Sequence, residues 1–368
     1  MAFDRIFGQS RVKKIIASSM KRNRLAHAHL FYGPPGVGKD AMAIGIAMSL
    51  NCAEGVIGGC GECVSCHQIM GLEHPHFHLV LPIPTRPKTM KEEKYREILR
   101  ERAIQRMTNP YQVVNYNPEL SVLPIIGIDQ IRRMKQEVML KVGGGGYRVF
   151  LLSHAELLTP FAANSLLKLL EEPPPKTILF LTTSMQAQMM ETIVSRCQTV
   201  RFDSLSVEEI ENALVQRWDI PRNKATFFAR VAGGSLQRGL ALTEQDFEER
   251  RETALAFLEK SIAGDTIRRV ECVEELINQG DKFEIQGMLR ILQVWLWDIL
   301  YLNWGHPQQV MNVDQMNQMK QFRNKWPQFD TEAGLQCVQQ SIDFIEKNVY
   351  LSLIMTSLSI ELRECLNR

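Results

Sequence analysis

The residues best placed for chemistry are Gly33–Asp40, GPPGVGKD, lying between the apolar run AHLFY and the helix-like run AMAIGIAMSL. A strand, a glycine-rich loop and a helix in that order make a phosphate-binding loop: small residues at Gly33, Gly36 and Gly38 let backbone N–H groups approach phosphate oxygens. The helix N-terminus adds a positive field, and Lys39 is expected to bridge the outer phosphates. The next position usually carries a Ser or Thr whose hydroxyl ligates magnesium, but here it is Asp40, which adds negative charge beside a polyphosphate. Two readings stay open: a loop that binds ATP, or one that keeps only the shape of a nucleotide site. Hydrolysis also needs acids at the end of a neighbouring strand, and after YRVFLL the chain has Ser153 and His154. Glu156 follows two residues later and reads as a solvated acid early in a helix.

A second constellation is CAEGVIGGCGECVSC, which gathers Cys52, Cys60, Cys63 and Cys66, half of the eight cysteines. Four thiolates with short C-x-x-C steps can close a tetrahedral zinc site, with a redox pair or an iron–sulfur cluster as alternatives. His67, His74, His76 and His78 are not needed as ligands and read as surface or strand-edge residues, while the four isolated cysteines read as packing residues.

The elements that must position these groups follow from periodicity. Apolar runs at 28–32, 76–81, 147–152, 177–183 and 199–202 alternate with helical patterns, predicting an α/β core with a parallel five-stranded sheet. The helix AANSLLKLLEE stops at Pro173–Pro175. Residues 82–127 interrupt this pattern as an insertion, whose charged segment around Glu92 and Arg96 reads as a solvated helix. After Phe202 strand signals vanish, and Ser206 with Glu209 forms a capping-box pattern. The expected domains are a core at 1–203 with the metal module at about 52–66, a small helical lid at 204–245 and a helical region at 246–368. IGIDQIRRMKQEV predicts a helix beginning near Asp129, with Arg132 and Arg133 off its apolar stripe and available to DNA phosphates or to neighbouring carboxylates.

The chain has 368 residues, 45% of them apolar, and Lys plus Arg total 43 against 41 acids. That balance excludes a wholly basic nucleic-acid binder, so any such contact must come from a local patch. The most apolar segment, 291–302, is too short to span a bilayer and contains Asp298. With no apolar secretion-signal core at the N-terminus, a reducing cytoplasm is expected.

Taken together, FDRIFGQ, HAHLFYGPPGVGK, the cysteine cluster, NSLLKLLEEPPPKTILFLTTS and SRCQTVRF resemble the AAA+ clamp-loader subunits of bacterial DNA polymerase III, over about the first 240 residues in collinear order. The resemblance implies an AAA+ P-loop core, a helical lid and an all-α C-terminal collar that joins subunits into a hetero-oligomeric ring around primer-template DNA. It also supports zinc at the four cysteines and implies that Arg196, the SRC arginine, reaches a neighbour's ATP as an arginine finger; pairing of Arg196 with nearby carboxylates is the alternative. Motor subunits of the family carry a P-loop Ser or Thr, an acidic pair and an arginine in the lid motif. Here these positions hold Asp40, Ser153 with His154, and Gln237, with Arg238 displaced by one residue. The chain therefore resembles the delta-prime type, a non-motor member working with gamma/tau and delta subunits to load the sliding clamp. A gamma-like motor ATPase, or a zinc-stapled DNA-binding module with a vestigial P-loop, are the alternatives.

Overall fold

The computed structural model describes residues 3, 6–87, 89–112, 124–139, 146–243, 247–280, 282–347 and 349–366. Expectations for residues 113–123 of the insertion, 244–245 of the lid and 246 at the start of the C-terminal region lie outside them. The chain divides into two compact units, Met1–Ala213 with Gly234–Gln237, and Leu214–Gly233 with Arg238–Arg368.

In the first unit the strands are β1 (Ala28–Tyr32), β2 (Phe77–Val80), β3 (Arg148–Leu152), β4 (Thr177–Thr183) and β5 (Gln198–Arg201). Every pairing is parallel and the order is β2-β3-β4-β1-β5. Burial on both faces explains the apolar runs at 149–152 of β3 and 178–181 of β4, strands in which every residue is buried. The helices of this unit include α1 (Ser10–Lys21), α2 (Lys39–Asn51), α3 (Val64–Met70), α4 (Glu92–Thr108), α5 (Ile128–Met139), α6 (Pro160–Glu171) and α7 (Glu191–Val194). Thr159 caps α6 by accepting from the Ala162 N–H, Pro160 occupies its first turn, and the prolines after Glu172 prevent its continuation. One face of the sheet packs against α5 and α6 through Ile131, Met134, Leu166 and Leu170. The fold is the expected α/β core with a parallel five-stranded sheet, followed by helices.

The insertion is closed at its neck by an antiparallel bridge between Ile83 and Ile125. Its helix α4 carries the expected Glu92–Arg96 ion pair at 3.0 Å, but the solvated reading fails at the far end, where Arg102, Arg106 and Met107 are buried. The next helix, α8 (Val207–Trp218), begins with the expected capping box: the Glu209 N–H donates to Ser206 Oγ and the Ser206 N–H to Glu209 Oε2.

The second unit is helical, from α9 (Arg222–Val231) through α13 (Lys282–Asn303) to α16 (Leu351–Glu364). Within α13, Asp298 is fully buried and accepts from the Met311 N–H, the Asn312 N–H and Asn312 Nδ2. Among the described residues no helix is long and apolar enough to cross a membrane.

Candidate functional site

The loop Gly33–Gly38 leaves β1, the inner strand between β4 and β5, and delivers Lys39 to the first turn of α2. Gly36 and Gly38 adopt φ of +71° and +96°, a region that disfavours side chains, and the space beside each is taken. A Cβ at Gly38 would lie 2.6 Å from Tyr111 Oη, and one at Gly36 would collide with Ser235 and Gln237. The Leu236 N–H also donates to the Gly36 carbonyl.

Lys39 is buried and turned onto its own loop. Its Nζ donates to the carbonyls of Gly33 at 2.8 Å and Pro34 at 2.6 Å, and to Ser184 Oγ at 3.1 Å. An ammonium group has three hydrogens, so these contacts use its donors fully. Burial lowers the Lys39 pKa to about 8, against the opposing pull of Asp40 and Glu156.

Asp40 is likewise engaged within the chain. It accepts from Ser153 Oγ and Thr182 Oγ1, both at 2.6 Å, and lies 3.6 Å from Arg106 Nε with both side chains about one-tenth exposed. Burial pushes its pKa upward, but the Arg106 guanidinium, His154 and the two hydroxyls outweigh this and hold it below the ordinary carboxylate value. Ser153, at the end of β3 where an acid was sought, thus serves Asp40. Glu156 departs from the solvated reading: its side chain is 6% exposed, in a short 3₁₀ turn, 3.4 Å from His154 Nδ1. Burial raises its pKa, and hydrogen bonds from His154 and Thr183 reverse the direction, so it too stays ionised at lower pH than usual.

The remaining cavity has a volume of about 40 Å³, bounded by Gly36, Lys39, Asp40, Arg106, His154 and Gln237. That is room for about one water, whereas pockets for nucleotide-sized ligands run to roughly 300 Å³ or more. As arranged, with Lys39 turned onto its own loop, the cleft is smaller than ATP needs. Gln237 stands at the cavity in place of the arginine sought there, and Arg238 belongs to the second unit.

The cysteines do fit a metal. Cys52 follows the last residue of α2, Cys63 caps α3 and Cys66 lies within it, and all four Sγ atoms fall within 4.8 Å of one another. Tetrahedral Zn–S bonds of about 2.3 Å require Sγ···Sγ separations near 3.8 Å, and Cys60 and Cys66 stand 3.9 Å apart. Burial pushes the Cys66 thiol up to about 12, with Cys63, Cys60 and Cys52 acting in the same direction; a dication supplies the charge that lets such thiolates coexist. Among the described residues no histidine joins the group. His74 is buried, contrary to its surface reading, and His78 stacks on Phe150 at 4.7 Å in the edge strand β2.

Arg196 sits between α7 and β5, about one-third exposed, with Nε and Nη2 both 2.6 Å from Glu171 Oε1 and Nη1 3.0 Å from the Thr192 carbonyl. Register fixes its distance from the P-loop of the same chain. Parallel pairing sets Tyr32, just before Gly33, opposite Arg201 and His29 opposite Gln198, so Arg196, two residues before β5, lies at the other end of the strands, at least about 10 Å along them. Arg132 and Arg133 are exposed on α5; Arg132 pairs with Asp129 at 3.1 Å.

Arg106, Tyr111, Thr182 and Glu171 were not singled out by sequence. For Arg106 a signal existed: Arg102 and Arg106 share one face of α4 at i,i+4 spacing with Met107 beside them.

Fold and site define an α/β protein with a P-loop whose cleft is occupied by the chain's own side chains. The family described as DNA polymerase III, delta subunit matches residues 8–206, more than half of the chain, and the chain belongs to it. It is 29% identical over 251 residues to DNA polymerase III subunit delta' of Bacillus subtilis, covering 68% of this chain and 64% of that relative. To DNA polymerase III subunit tau/gamma of Haemophilus influenzae it is 30% identical over 249 residues, covering 66% of this chain and 30% of the relative. The matches thus span less than two thirds of these relatives' length. A solved structure of a DNA polymerase III gamma subunit-related protein from Thermotoga maritima aligns over 97% of this chain and 98% of its own, at 14% identity and a TM-score of 0.39.

Proposed function

We propose that this chain is a non-motor subunit of a DNA polymerase III clamp loader, one that lends Arg196 to a nucleotide held by a neighbouring ATPase subunit. The observation that carries this reading is the register of β1 and β5: the SRC arginine lies too far along the sheet to reach its own P-loop, so a phosphate it serves belongs to another chain. A guanidinium suits that task because it stays charged and presents a planar fork to phosphate oxygens. The engagement of Lys39 and Asp40 within the chain weighs against a motor of its own.

In this reading the partners are gamma/tau motor subunits and a delta subunit in a cytoplasmic hetero-oligomeric ring, acting on the sliding clamp and on primer-template DNA. Arg132 and Arg133 are offered as contacts to the DNA backbone, where positive charge positions without reading sequence. Residues 204–245 serve as lid and 246–368 as collar. Zinc at Cys52, Cys60, Cys63 and Cys66 is structural, because four thiolates leave no open coordination position.

The test is reconstitution with gamma/tau and delta subunits. Arg196→Ala is expected to abolish the contribution of the adjoining site to DNA-stimulated ATP hydrolysis, since arginine fingers are worth about 10³–10⁵ in rate. Unchanged ATPase and clamp-loading rates refute the reading.

A further inference from the structure

We propose that the end of α4 and the turn after it are resident occupants of this chain's own P-loop cleft, and that Arg106 and Tyr111 are the residues that keep nucleoside triphosphates out. The inference stands apart from the role of Arg196, which lies at the other end of the strands.

The end of α4 and the turn after it enter the cleft from a segment anchored at the Ile83–Ile125 bridge. Arg106 reaches Asp40 at 3.6 Å, donates to the Pro110 carbonyl at 3.0 Å and approaches His154 Nε2 at 3.5 Å. Pro110 itself lines the cavity. Tyr111, 2% exposed, lays its hydroxyl against Gly38, where the loop backbone must stay open for a phosphate to approach. The same hydroxyl accepts from the Phe7 N–H at 3.1 Å, and the two rings lie 5.8 Å apart, so Phe7 holds Tyr111 in place beside the loop.

Charge as well as volume is already balanced. The cations Lys39 and Arg106 share the cleft with the buried carboxylates Asp40 and Glu156. A triphosphate entering this cleft meets two acids whose counter-charges are engaged, and it must displace the Lys39 contacts to Gly33 and Pro34 before gaining any of its own. Exclusion thus comes from a filled, charge-neutral cleft rather than from the exchange of one P-loop hydroxyl for Asp40.

The test compares two full-length variants that both remove the buried charge pair and differ in filling. Asp40→Asn with Arg106→Gln keeps the cleft occupied; Asp40→Asn with Arg106→Gly and Tyr111→Ala empties it. Binding of a fluorescent ATP analogue with magnesium is measured by titration, with circular dichroism and thermal unfolding confirming that each protein is folded. The emptied variant is expected to bind at least tenfold more tightly than both the filled variant and the unaltered chain. Equal binding by the filled variant or the unaltered chain overturns the proposal. So does failure of a folded, emptied variant to bind, because exclusion then resides in the loop itself.

Discussion

Glu171→Gln tests how Arg196 is held before it meets a neighbour. Both Nε and Nη2 approach one carboxylate oxygen of Glu171 at 2.6 Å, with side-chain exposures of 34% for Arg196 and 47% for Glu171. A pair this open to solvent is worth about 0.2–1 kcal/mol, because water screens it and two long side chains must be ordered to form it. To reach a phosphate across an interface the guanidinium must leave that carboxylate. Removing its charge therefore eases the transfer by a factor of about 1.4 to 5. The bond from Nη1 to the Thr192 carbonyl still supports the side chain after the change. The assay is stimulation of ATP hydrolysis by gamma/tau and delta subunits as the concentration of this chain is raised, at low and moderate salt. Glu171→Gln should retain full stimulation and reach half of it at a concentration lowered by at most about fivefold, with the difference shrinking as salt screens the pair. A collapse of the rate to the Arg196→Ala level refutes this reasoning, since Glu171 would then be a support that Arg196 needs at work.

Metal analysis should find about one zinc per chain at the four cysteines, and Cys63→Ser with Cys66→Ser should lose it along with thermal stability, because metal-binding energy in a closed site is folding energy; full retention of metal by that variant contradicts the assignment. His29, in β1 and stacked on Phe180 at 5.3 Å, gives a signed pH dependence: burial lowers its pKa from 6.5 to about 4. Well above pH 6.5 the imidazole is neutral in both states and folding carries no proton penalty there; as pH falls from 6.5 toward 4 the unfolded chain takes the proton first, and stability drops by about 2–3 kcal/mol. His29→Phe should remove that share of the acid sensitivity in urea unfolding at pH 7.5 and 4.5, and an identical loss in both proteins counts against it.

The strands were legible because a parallel sheet buried on both faces writes itself as unbroken apolar runs, and β1 and β4 fall at 28–32 and 177–183 as expected. The P-loop, the cysteine cluster and the Ser206–Glu209 capping box were equally local, each contained in a short stretch of chain. What stayed hidden depends on partners distant in sequence. Arg106 reads as one more charge on a polar helix until Asp40, 66 positions earlier, is placed beside it. Glu156 looks like a solvated acid because a 3₁₀ turn that periodicity does not signal places it, and Thr183, 27 positions later, hydrogen-bonds it. Arg196 was legible by its motif, but its bond to Glu171 joins the end of α6 to the residue after α7, which only the packed sheet brings together.

The Asp40–Arg106 pair also bears on how such a protein can change over generations. Losing either member alone leaves the other buried with its main counter-charge gone, a defect of up to about 3–5 kcal/mol, a large part of the margin that keeps many domains folded. Changes at the two positions are therefore expected to be tolerated together more readily than singly, which couples their fates in sequence.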